Sequence, residues 1–224
     1  MNEKNKNHLN ELVQRFEMTD HQRRHFAVYI DLLEQWSARI NLVSQGDRNK
    51  LVTKHVDESL QLLKDTVFHQ PCSVLDLGSG AGFPGLCLSI VMPLSHFTLV
   101  DSKRSKFLFL SEVIEKTGLE NVRVICERVE HLDENNHGNQ YDYITARAVA
   151  SLDTLWKWSA FLLAPKGALI AIKGGDVETE MAKLKGLFNI STVNLSLPHG
   201  KSIVVVSRGE PHDDRLLDKK QYKR

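Results

Sequence analysis

The chain has 224 residues, 42% hydrophobic and 25% charged, the balance of one ordinary globular domain with at most a small appended piece. With 29 Lys and Arg against 28 Asp and Glu the formal charge is +1, so total charge gives no argument for a polyanionic partner, and any such site has to be local. Cys72, Cys87 and Cys126, odd in number and without CxxC spacing, exclude a disulfide framework and a zinc knuckle, and no apolar run reaches the ~18 residues of a membrane span, so the reading is a reducing compartment, the cytoplasm.

Residues 8 to about 63 have helical periodicity. Leu9, Leu12, Val13 and Phe16 recur at three- and four-residue spacing, and Phe26, Tyr29, Ile30, Leu33, Trp36 and Ile40 repeat the pattern, with Thr19 as the N-cap between them. A third stretch, roughly 49–63, sets Val52, Val56, Leu60 and Leu63 on one face. Together they predict a helical N-terminal cap over residues 1–70.

After Pro71 the period changes. Short apolar runs at 73–77, 97–100, 122–126, 141–145, 168–172, 190–195 and 202–207 alternate with amphipathic segments, the mark of βα units and a parallel sheet. Lys103 to Thr117 reads as one helix that Gly118 closes in the left-handed conformation. Ser151 caps another helix ending near Leu163, after which Pro165-Lys166-Gly167 turns the chain. Only Pro198-His199-Gly200 separates the last two runs, too short for a helical crossover, so that pair must be antiparallel. The expected fold is α/β: a seven-stranded, mostly parallel sheet with an antiparallel final strand over 71–210. Residues 211–224 form a tail, where Lys219, Lys220, Lys223 and Arg224 make a basic cluster that a solvated terminus explains.

The chemistry concentrates after the first strand. Asp76-Leu77-Gly78-Ser79-Gly80-Ala81-Gly82 runs a buried strand into a turn with glycine at alternate positions, which brings bare backbone close to a ligand. A dinucleotide fingerprint needs G-x-G-x-x-G, and the position of its third glycine holds Phe83. The spacing looks instead like the D-x-G-x-G-x-G loop of Rossmann-like methyltransferases, whose cofactor carries no phosphate. Asp101, ending the next strand, is placed to accept both hydroxyls of a ribose, and Glu130 stands just past the third strand, where an adenine amino group would lie. Each has a plainer reading, a tight turn for the glycines and a solvated loop acid for Glu130.

With these blocks the sequence resembles the ribosomal RNA small-subunit methyltransferase G family, also called glucose-inhibited division protein B. The likeness covers most of the chain: Asn41-Leu42, His55-Val56-Asp57-Glu58-Ser59-Leu60, Asp76 through Gly85, Val100-Asp101-Ser102, Arg128-Val129-Glu130, Thr145-Ala146-Arg147-Ala148, Lys173-Gly174 and Val204 to Arg208. The resemblance implies methyl transfer from S-adenosylmethionine to N7 of one guanine in 16S ribosomal RNA, free or in the small ribosomal subunit. It also implies a cofactor site of Asp76, Gly78, Gly80, Phe83, Asp101, Val129, Glu130 and Arg147, and a monomer that uses neither metal nor membrane. Two departures are Glu58, where an apolar residue is expected, and Lys103-Arg104-Ser105-Lys106 in place of a Gly-Lys-Arg run.

Guanine N7 carries a lone pair and no proton, so its methylation needs in-line approach and no general base. Because N7 must stay free, the usual arginine fork on O6 and N7 is excluded for Arg147, which is expected to hold cofactor or a nearby phosphate. Acceptor-site candidates are Asn41, His55, Asp57 and Lys173, with a carboxylate at Asp57 or Glu58 accepting from the guanine Watson–Crick edge. The plainer roles are a helix C-cap for Asn41, cap-to-sheet packing for His55, a strand-end surface ion pair for Arg147 and solvation for Lys173. On an ideal helix Asp57 and Glu58 stand about 200° and 300° of turn from His55, and no second His or Cys lies at ligand spacing, so no metal is expected. A small-molecule methyltransferase with the same pocket is the alternative, and an adaptor that lost its cofactor a further one.

Overall fold

The computed structural model describes residues 1–44, 46, 50–65, 68–132, 138–188, 190–197 and 200–208. Asn49, the Pro198-His199 part of the last turn and the basic tail lie outside the described residues.

Helix α1 (Glu3–Arg15) and helix α2 (Asp20–Ser37) are joined at Thr19, whose side chain accepts from the Gln22 backbone while Gln22 reaches back to the Thr19 backbone, a reciprocal capping box. Helix α2 stops at Ser37, so Ile40, expected in the helical repeat, packs from the loop beyond it. The third helical stretch begins as a π-helical turn, Leu51–Val56, before continuing as α3 (Asp57–Asp65). That wider turn departs from ideal helical angles and brings His55 and Glu58 against the same arginine.

Seven strands form one sheet in the order β3-β2-β1-β4-β5-β7-β6. Strands β1 (Ser73–Leu77), β2 (His96–Val100), β3 (Val122–Ile125), β4 (Tyr141–Arg147) and β5 (Leu163–Gly174) pair in parallel. Strand β7 (Lys201–Arg208) is antiparallel to both β5 and β6 (Ile190–Leu197), as the short last connection requires. Between the strands run α4 (Gly85–Val91) and α5 (Arg104–Thr117), the latter closed by Gly118 at φ 67° as its position predicts.

Two expectations need correction. The helix after Ser151 spans only Leu152–Ser159. The segment Pro165-Lys166-Gly167 does not end a connection but lies inside β5, where Leu163 pairs with Tyr141 and Ala168 with Tyr143. The chain between them bulges away from β4, so Pro165 gives up no ladder bond there.

Alternate strand residues feed two cores. Val74, Phe97, Leu99, Tyr143 and Ile170 face a cluster shared with α1 to α5, including Leu9, Phe26, Tyr29 and Leu60; Leu75, Leu77, Val100, Ile144 and Leu169 face the helices Leu152–Ser159 and Val177–Leu187. The N-terminal helices thus lie on one sheet face, in one core with α4 and α5. The parallel strands all point their carboxyl ends to one rim, and the order reverses between β1 and β4, which opens a crevice there.

Candidate active site

The loop after β1 takes left-handed backbone at Gly78, Gly80 and Gly82 (φ 64°, 58° and 96°), conformations costly for any residue with a Cβ. A Cβ on Gly78 would stand 2.8 Å from Val149 Cγ2, so the loops after β1 and β4 meet at the crevice with no room to spare. The loop is held from three sides. The Ser79 amide donates to the Val100 carbonyl at 2.9 Å, the Gly80 amide to Asp101 Oδ2 at 2.9 Å, and Tyr29 Oη to the Ala81 carbonyl at 2.6 Å. Asp101 Oδ1 also accepts from the Lys103 amide at 2.9 Å, which sets the carboxylate's orientation. A carboxylate has about four lone-pair sites, so about two remain for the hydroxyls of a ribose.

Below the loop Asp76 is fully buried and accepts from Thr145 Oγ1 at 2.7 Å. Burial pushes its carboxyl up to about 6 against that hydrogen bond. Cys87 lies in the same core with its thiol pushed by burial up to about 12, which makes it inert as a nucleophile.

Two clefts adjoin along the rim and share Gly78 and Ala148. The first, of about 360 Å³, is lined by Asp101, Ser102, Lys106, Val129, Glu130, Val149 and Trp158. The second, of about 390 Å³, is lined by Leu42, Val43, Ser44, Lys54, His55, Phe83, Arg147 and Lys201 around the same glycine loop. The first cleft thus combines the acids Asp101 and Glu130 with apolar Val129, Val149 and Trp158 and the cations Lys103, Lys106 and Arg128, and the second an aromatic wall with cations.

Arg147, at the end of β4, organises the second cleft. Its side chain is only 9% exposed, which removes the surface ion-pair reading. Nη2 pairs with Glu58 Oε2 at 2.8 Å and stands 2.5 Å from His55 Nδ1, and the guanidinium lies 5.6 Å from the Phe83 ring centre. Since a guanidinium only donates, Nδ1 is the acceptor. His55 in turn stacks on Phe83, centroids 5.1 Å apart and planes 25° apart, so it does pack the cap onto the site.

The structure therefore gathers Gly78, Gly80, Asp101, Val129, Glu130, Phe83, His55 and Arg147 around the two clefts, with Asp76 beneath them. Three candidates line neither cleft. Asp57 pairs with Arg15 of α1, away from the rim, so of the two neighbouring carboxylates it is Glu58 that turns toward Arg147. Lys173 donates to the Ala150 carbonyl at 2.8 Å and pairs with Glu180 at 3.0 Å, a brace for the loop after β4 and not a solvated side chain. Asn41 is not the C-cap of α2, which is Ala38; its carbonyl accepts from Lys106 Nζ at 2.6 Å. Sequence reasoning missed Tyr29, Thr145, Lys106 and Lys201. Thr145, in the Thr-Ala-Arg block, and Lys106, in the Lys-Arg-Ser-Lys run, had a local signal.

The family model described as rRNA small subunit methyltransferase G matches residues 22–204. The chain belongs to this family. A small subunit methyltransferase G from Lactococcus lactis strain IL1403 is 35% identical over 193 residues, covering 82% of this chain and 81% of its own length. The Chloroflexus aggregans relative is 35% identical over 208 residues, 89% of this chain and 87% of its own. Among solved structures, a SAM-dependent methyltransferase from Aquifex aeolicus superposes with a TM-score of 0.55 at 18% identity, covering 66% of this chain and 88% of that one. TYW2 of M. jannaschii, solved with AdoMet, gives 0.54 at 14%, covering 76% of this chain and 77% of its own. At such identities the structures establish the Rossmann-like methyltransferase fold alone. Across the described residues no helix is long and apolar enough to cross a membrane, and no group of three or more His, Cys, Asp or Glu converges as a metal site would.

Proposed function

We propose that this chain transfers the methyl group of S-adenosylmethionine to N7 of a guanine in 16S ribosomal RNA, acting as a monomer in the cytoplasm. The observation that carries this reading is the pair of adjoining clefts at the crevice between β1 and β4, in a chain whose family membership spans residues 22–204. The cleft with Asp101 and Glu130 suits an adenosine, ribose on the first acid and base beside the second, with Val129, Val149 and Trp158 as its apolar floor. The bare backbone at Gly80, where an added Cβ would meet nothing nearer than 3.7 Å, leaves room for the amino-acid end, and Phe83 and Arg147 close the far side.

When bound, S-adenosylmethionine supplies a sulfonium methyl, whose transfer forms the N7–carbon bond as the sulfur–carbon bond breaks and its electron pair stays on sulfur. The protein's own task is placement. N7 has no proton to lose, so the residues must hold a splayed guanine in line and keep water out. The second cleft, walled by Phe83 and His55, offers an aromatic surface for that base, and its cations suit the nucleotide's phosphates. A base that has to leave its stack favours single-stranded or looped RNA.

The test is methyl transfer from labelled S-adenosylmethionine to 16S RNA from cells lacking this protein, as free RNA and in small subunits, with the product mapped by mass spectrometry. A 7-methylguanosine at one site that Asp101→Ala abolishes supports the reading. Methyl transfer to small molecules but to neither form of the RNA would overturn it.

A further inference from the structure

The buried acid behind the second cleft has no place in the mechanism so far. Glu58 is 4% exposed, and its Oε2 holds two cations at once: Arg147 Nη2 at 2.8 Å and Lys201 Nζ at 2.6 Å. Its other oxygen, Oε1, is buried with no hydrogen-bond partner among the described residues. Both cations line the cleft, and Glu58 sits behind them.

This is a poor arrangement for stability alone. A carboxylate taken out of water, with one oxygen unsatisfied, costs more than a well-packed apolar side chain of similar size would in its place. What it does achieve is geometry. Arg147 comes from the end of β4 and Lys201 from the start of β7, 54 positions apart in the chain, and a shared oxygen holds their charged ends within one hydrogen-bond length of the same point. Burial lowers the Lys201 ammonium pKa below its usual value, and the Glu58 contact opposes that shift.

The charge balance says what the pair faces. Lys54, Arg147 and Lys201 line the cleft and no acidic side chain lines it among the described residues, in a chain whose total charge is only +1. Arg147 and Lys201 share one buried carboxylate between them, which leaves this pair with a net positive charge complementary to a polyanion.

Resting on the proposed RNA methylation, we infer that Glu58 is a positioning residue: it sets Arg147 and Lys201 as a fixed cationic pair that receives a backbone phosphate of the target nucleotide. Arg147 has a second anchor in His55, whereas the only hydrogen bond described for the Lys201 ammonium is to Glu58, so Lys201 depends on the acid most.

The experiment compares wild type with Glu58→Gln, Glu58→Asp and Lys201→Met, measuring S-adenosylmethionine affinity by calorimetry, KM and kcat on small subunits, and the salt dependence of RNA binding. Glu58→Gln is expected to keep cofactor affinity within about threefold while KM for RNA rises about tenfold, with partial recovery in Glu58→Asp, since rim phosphate contacts act on the polyanion. Lys201→Met is expected to lower the salt slope by about one. Should Glu58→Gln fail to fold, Lys201→Met at a strand end carries the same test, with Lys201→Arg as rescue. An unchanged RNA KM and salt slope in these variants, or a cofactor affinity that falls as far as the RNA affinity does, overturns the inference. Failure of the wild-type protein to methylate 16S RNA at all would instead be the failure of the proposed function, so the two outcomes are distinct.

Discussion

Thr145 Oγ1 donates to Asp76 Oδ1 at 2.7 Å across neighbouring strands, which joins β4 to β1 beneath the glycine loop at the point where the strand order reverses. The Asp76 carboxyl is fully buried, and the same burial that hides it from the clefts raises its affinity for a proton.

That rise sets a pH dependence. With the folded pKa moved from 3.8 to about 6, the group's contribution is most favourable below pH 3.8 and is lost as pH rises toward 6. At about 1.4 kcal/mol per unit the loss approaches roughly 3 kcal/mol. Asp76→Asn should remove this component, so stability measured by urea denaturation from pH 4 to 7 should fall more steeply in wild type than in the variant. Parallel curves would refute it.

The glycines separate into two kinds. Gly78→Ala combines positive φ with a Cβ 2.8 Å from Val149, and is expected to cost about 1–2 kcal/mol and to weaken S-adenosylmethionine binding by about tenfold or more as the two loops part. Gly85→Ala has no such strain, but its Cβ would stand 2.6 Å from both Asp76 Cβ and Leu99 Cδ2. It should therefore destabilise the whole fold, by about 1–3 kcal/mol. Calorimetric binding beside thermal unfolding tells the two apart.

Arg147→Ala leaves Glu58 buried with Lys201 as its remaining described cation, and is expected to cost about 3 kcal/mol while abolishing methyl transfer. Arg147→Lys should recover little, because one ammonium cannot span His55 and Glu58 as the planar guanidinium does. Full activity in the lysine variant would show that the fork is dispensable.

Tyr29→Phe removes the only tertiary hydrogen bond described for the Ala81 carbonyl, from a hydroxyl that burial holds un-ionised. A buried acceptor left without its donor costs about 1–2 kcal/mol. Hydrogen exchange should show the 80–83 segment opening more readily, and S-adenosylmethionine affinity should fall with it. A variant whose loop exchanges as slowly as wild type would place the restraint elsewhere.

Much of this architecture was legible because it is local. The Thr19 capping box, the left-handed stop at Gly118, the strand Ser73–Leu77 and the glycine loop after it each depend on residues within a few positions of one another. Pro165-Lys166-Gly167 reads as a turn because the same residues serve turns and bulges alike, and only the neighbouring β4 decides between them. The partners of Asn41 and Lys173, Lys106 and Glu180, come from separate helices, so neither contact is visible in its own element.

What the sequence by itself determined was the order of helices and strands, the antiparallel closing pair and the place of the glycine loop, since backbone conformation and hydrophobic period are written into neighbouring residues. What only the tertiary structure decided was which charges meet: that Glu58 and not Asp57 faces Arg147, that Lys201 joins them from the last strand, and that Tyr29 braces the glycine loop. Contacts between residues tens of positions apart depend on strand order and on the π-helical turn before α3, and side-chain type alone does not encode them.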